Sequence, residues 1–120
     1  MDIYQPTLPD YLSRIDCFNR AWKEAIEQYG NGSPVANMLR NRKTDLQIQV
    51  IQRFYDSVSL KLDLDSEFDE PQVGILLREP VILKSGSLRS DANHIPLRLL
   101  AENLSSELIP PELRGTLADD

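Results

Sequence analysis

The chain contains one cysteine, one histidine and one tryptophan. Cys17 alone cannot form an intrachain disulfide, which fits a reducing compartment, so a cytoplasmic location is expected. His94 alone cannot build a two-histidine metal site or a two-histidine catalytic pair. Uninterrupted apolar runs reach about three residues, far short of the roughly 20 that a membrane-spanning helix needs. Met-Asp-Ile-Tyr-Gln-Pro offers no basic stretch followed by an apolar one, so no secretory leader is expected. No Gly-x-Ser-x-Gly, Cys-x-x-Cys, dinucleotide fingerprint or P-loop spacing occurs. No cofactor is therefore expected, and the familiar small enzymes lack their signatures here.

The chain does have enough apolar residues to build a core. At 41% hydrophobic over 120 residues it can bury one without metal or disulfide staples. A single domain over 1–120 is expected, with an extended arm at 1–9 and a loose tail at 115–120. The net charge of −6 sets up a field that repels phosphate backbones, so nucleic acid is a disfavoured partner.

The organising stretch is 44–65. Leu46, Val50, Ile51, Phe54 and Tyr55 recur at helical spacing, then Val58, Leu60, Leu62 and Leu64 alternate with polar residues. The spacing predicts a helix running out near Asp56 and a strand over 58–64. Upstream, Tyr11, Ile15, Phe18, Trp22, Ala25 and Tyr29 line one face of a helix of about five turns, closed by Gly30-Asn31-Gly32. Cys17 sits beside this stripe and reads as a small core or boundary residue. Ser33-Pro34 opens another helix, and Thr44 with Gln47 matches a capping box. One bent helix and two short ones both fit that segment.

Downstream, 65–71 reads as an acidic loop and 72–77 as a second strand, ended by Pro80. Residues 81–83 read as a third short strand or part of a bulged edge. Lys84-Ser85-Gly86-Ser87 and Ser90-Asp91-Ala92-Asn93 have loop compositions. Leu97, Leu100, Ala101, Leu104 and Leu108 share a last helix, stopped by Pro110-Pro111. The expected class is α+β: two or three helices on a small antiparallel sheet of two or three strands. The alternative is an all-α bundle with one long helix through 45–66, a projection that leaves Leu60 and Leu64 off the apolar face.

Three groups of residues bear on function. Tyr11, Phe18, Trp22 and Tyr29 supply aromatic anchors for a partner protein. The outer edge of the strands offers pairing to a partner or a second copy, so a homodimer is expected. Arg40, Arg42 and Lys43 form the densest basic cluster, a candidate anion-binding or nucleic-acid contact. Asp63, Asp65, Glu67, Asp69 and Glu70 form the densest acidic run. Its residues miss the EF-hand pattern, with Phe68 where Gly is required, so no metal site is expected.

The segment Arg89-Ser-Asp-Ala-Asn-His94 resembles the Arg-x4-His motif of HEPN-type ribonucleases. That resemblance implies a helix on which Arg89 and His94 together polarise a phosphodiester. Ser90 stands where that family usually places Asn, Asp or His. The leading expectation is a non-enzymatic protein-binding module: an adaptor, assembly factor, specific chaperone or small regulator. The alternatives are a HEPN-like ribonuclease or toxin, and a nucleic-acid-associated regulator.

Overall fold

The buried-face rhythm changes at residue 58, and there helix gives way to sheet. A computed structural model describes residues 5–63 and 70–118. The described elements are α1 (Leu8–Tyr29), α2 (Pro34–Arg53), β1 (Val58–Asp63), β2 (Gln72–Ile82), β3 (Leu88–Pro96), α3 (Leu97–Asn103) and α4 (Pro111–Ala118). The strands form an antiparallel meander in the order β1-β2-β3, with the helices packed against it. The class is therefore α+β, and an all-α bundle is excluded.

Alternation sets the sheet's register. Val58, Leu60 and Leu62 stand opposite Leu77, Ile75 and Val73, and Val73 in turn stands opposite Ile95. This face meets Tyr11, Leu12 and Ile15 of α1, Val50 and Ile51 of α2, and Leu97 and Leu100 of α3. Each fully buried aliphatic side chain of this kind contributes roughly 2–3 kcal/mol. Leu64 and the acidic stretch 65–69 lie outside the described residues.

The helix starts follow the capping chemistry. Thr7 caps α1: its N–H donates to Asp10 Oδ2 (2.9 Å), and Asp10 N–H donates to Thr7 Oγ1 (3.4 Å). The helix therefore begins at Leu8, inside the expected extended arm. Ser33 caps α2, its Oγ accepting from Ala36 N–H at 3.2 Å. α2 then runs unbroken to Arg53. Thr44 and Gln47 lie buried within it, so their capping-box pattern starts no helix.

Three expectations are corrected downstream. Pro80 does not end the second strand. β1 partners reach only as far as Leu77, and β3 partners skip from Leu76 to Val81, so no ladder bond is required of Pro80. Residues 81–82 extend β2, and the third strand is Leu88–Pro96, reached through a turn at Gly86 (φ 90°). Ser90-Asp91-Ala92-Asn93 is therefore strand. Its turn-forming residues make a bulge instead: Gly74 pairs His94 while Leu76 pairs Asp91, so Ile75 faces both Ala92 and Asn93. Asn93 takes φ 63°, and its N–H donates to Asp91 Oδ1 at 3.0 Å.

The last helix is also shorter than its apolar spacing implies. Asn103 Nδ2 donates to Leu99 O (2.7 Å) at the end of α3, a 3-10 turn follows at Ser106–Leu108, and Pro111 opens α4. Proline here starts a helix, its absent N–H costing nothing in the first turn. Residues 115–118 are helical, not loose.

Candidate functional site

α1 and α2 form a hairpin closed by Gly30 (φ 90°) and Gly32 (φ 89°), a backbone region that L side chains rarely adopt. Between this hairpin and β3 lies a cleft of about 560 Å³. α1 contributes Asn19, Trp22 and Lys23, and α2 contributes Arg40, Lys43 and Gln47. The sheet side contributes Glu70, Asn93 and His94.

Lys43 is the centre of the cleft's chemistry. Its Nζ donates to Asn19 Oδ1 at 2.8 Å and lies 5.2 Å from the Trp22 ring centre. Among the described residues no carboxylate pairs with it. Burial, then the nearby charges of Lys23 and Arg40, push its pKa down to about 8. Glu70, the carboxylate lining the cleft among the described residues, lies 3.8 Å from Arg40 and 3.2 Å from Arg98.

The wall opposite is set by the bulge in β3. Arg89 donates to Asp16 of α1, to Asp91 Oδ1 (2.9 Å) and to Asn93 Oδ1 (2.8 Å). Because the guanidinium takes the amide oxygen, the Asn93 Nδ2 end is turned the other way. That nitrogen is buried with no acceptor among the described residues, and Asn93 lines the cleft. A buried donor without an acceptor costs about 1–3 kcal/mol. Gln47 fastens the same wall, its Nε2 donating to Ala92 O (2.8 Å) and His94 O (3.0 Å). His94 lies over Gly74, where a Cβ would meet its Nε2 at 3.6 Å, and reaches Asp63 Oδ2 at 3.1 Å.

The sequence-derived candidates separate. Trp22, Arg40 and Lys43 come together in the cleft. Arg42 does not: it lies in a smaller hollow with Arg14, Phe18 and Asp45, so the basic cluster is not one patch. Tyr11 is no interface anchor, being 2% exposed, with its hydroxyl on Gln49 Oε1 (3.0 Å) and its ring edge-on to Phe54. Phe18 is half-buried against the core, while Tyr29 is 63% exposed. Cys17 is exposed, not in the core or at its boundary. β3's outer edge is partly covered by Gln47, which leaves edge pairing to β1 among the described strands. Asn19, Lys23 and Asn93 escaped the sequence reading; only the helical spacing from Asn19 to Trp22 and Lys23 hinted at a shared face.

Arg89 and His94 lie on strand β3 and not on a helix, against what the HEPN resemblance implies. Arg89 is held by three side chains and acts as a tether between α1 and the bulge. Arg89→Met is expected to lower stability by about 1 kcal/mol, a modest figure because the pairs are partly exposed. A shift of the urea midpoint checks this; an unchanged midpoint would deny the tether.

Among the described residues no three His, Cys, Asp or Glu side chains gather as metal ligands. None of the described helices is long and apolar enough to cross a membrane. No known protein family, curated protein or solved structure matches the chain.

Proposed function

We propose that this chain is a non-enzymatic protein-binding module that takes an acidic segment of its partner in the cleft between α1, α2 and β3. The observation that carries this reading is the gathering of Lys23, Arg40 and Lys43 around Trp22 in a chain of net charge −6. Lys43 is partly desolvated beside the charges of Lys23 and Arg40, which disfavours its ammonium form, and an anion relieves that. A protein partner is favoured over a small ligand because the cleft reaches Asn31 in the α1–α2 loop. Tyr29, Val35 and Met38 are exposed on either side of that loop, so apolar contact adjoins the cationic one. A nucleic acid would meet the repulsion of the whole chain and a basic cluster that Arg42 has left.

Trp22 is the only tryptophan, so its fluorescence reports the cleft directly. Hexaglutamate is expected to change Trp22 emission saturably at low salt, with affinity falling as salt screens the contact. Hexaglutamine is expected to do nothing. Equal responses to both peptides, or no response to either, would overturn the reading.

A further inference from the structure

We propose that the Lys43 amine is a nucleophile that takes up anionic aldehydes as a covalent imine in the cleft. Four features of the site support this. The cavity of about 560 Å³ leaves room for a small carbonyl compound beside Nζ. The amine is held by a neutral acceptor, Asn19 Oδ1 at 2.8 Å, which positions it without stabilising its charge as a carboxylate would. Lys23 and Arg40 disfavour the ammonium form and present charge to an anionic group on the aldehyde. The Trp22 ring centre lies 5.2 Å from the amine and gives it an apolar neighbour. Among the described residues, the remaining titratable groups facing the cleft are Glu70, paired with Arg40 and Arg98, and His94, paired with Asp63.

The lowered proton affinity makes this chemistry accessible near neutrality. With a pKa of about 8, close to one Lys43 in ten is a free amine at pH 7. An ordinary lysine has fewer than about one in a thousand. In the reaction, the nitrogen lone pair attacks the carbonyl carbon and the nitrogen's proton passes to the oxygen, giving a carbinolamine. A second protonation of that oxygen lets water leave as the C=N bond forms. Solvent water entering the cleft supplies and takes those protons. Nothing is oxidised or reduced.

The test uses the full chain with glyoxylate as probe and cyanoborohydride to deliver hydride to the imine carbon. Peptide mapping then compares Lys23, Lys43, Lys61 and Lys84, the four lysines of the chain. Lys43 is expected to be labelled at least about tenfold faster than Lys61 and Lys84. Its rate should rise through a midpoint near pH 8. Glyoxylate should outpace propanal at Lys43 and not at the other lysines. Equal labelling of all four lysines, or a Lys43 slower than the exposed ones, would overturn the proposal. The comparison is made within one folded protein, so it needs no variant. It also stands apart from hexaglutamate binding, since that peptide has no carbonyl electrophile of this kind.

Discussion

Lys43→Met is expected to make the protein more stable near neutral pH and unresponsive to hexaglutamate. A fall in pKa from 10.5 to about 8 means that folding works against the charged amine by ~3 kcal/mol. Methionine keeps the apolar stem and removes that penalty. It also forfeits the bond to Asn19 and the contact with Trp22, each worth about 1 kcal/mol. The net gain is ~1 kcal/mol, or a rise of roughly 4 °C in Tm for a chain of this size.

The pH dependence carries the sign. Between about 8 and 10.5 the unfolded chain keeps the lysine proton while the folded chain releases it. Stability attributable to Lys43 therefore rises with pH across that window, and the penalty is fully present below it. The advantage of Lys43→Met should shrink as pH climbs and reverse towards its upper end, where only the lost contacts remain. Anion binding runs the other way. An acidic peptide favours the ammonium, so hexaglutamate affinity for the parent should increase as pH falls from 9 to 7. Thermal melts and Trp22 titrations at both ends of the range check these outcomes. A variant less stable than the parent at pH 7 would make Lys43 a structural tether and remove the argument that its charge is kept for a ligand.

The same stretch shows how far local pattern reaches into this molecule. Helical spacing in 11–29 and strand alternation from residue 58 both give the expected elements, although the far end of the helical stripe, Trp22 and Tyr29, leaves the core for the cleft and the surface. Pro80, Asp91-Ala92-Asn93 and Pro111 have usual local roles as breaker, loop and stop. For the first two, strand pairing overrides the local role; for Pro111 the helix lies on its other side. Pro80 sits where β2 has lost its ladder partners, Asn93 makes a bulge that Arg89 and Asp91 hold, and Pro111 is a first helical residue. The cleft was half legible. Arg40 and Lys43 stand out as charge and Trp22 as an aromatic. That Arg42 turns away, and that Asn19 and Asn93 turn in, depends on the helical phase and on a bulge 50 residues distant. No local window contains both.

Gln47→Leu is expected to be the most destabilising of these substitutions, and its reason joins the fold to the site. The side chain is 1% exposed and its single amide nitrogen serves two carbonyls of β3, Ala92 O and His94 O. Those carbonyls lie two residues apart on a strand at the rim of the sheet, so α2 closes that rim through one residue. Leucine fills a similar volume but leaves both oxygens without a donor, at a cost of about 1–3 kcal/mol each where they are buried. A loss of ~3 kcal/mol, or a fall of about 10 °C in Tm, should follow. Released from α2, the β3 edge should also promote self-association, visible by light scattering. Gln47→Glu separates donor from shape, because a carboxylate can only accept. Its pKa in the folded state should be raised by burial, so the variant should be least damaged near pH 4, where the protonated acid donates to one carbonyl, and worsen as pH rises towards 7. A Gln47→Leu protein that melts like the parent would show that the amide bonds hold nothing together, and that the cleft wall stands on apolar packing alone.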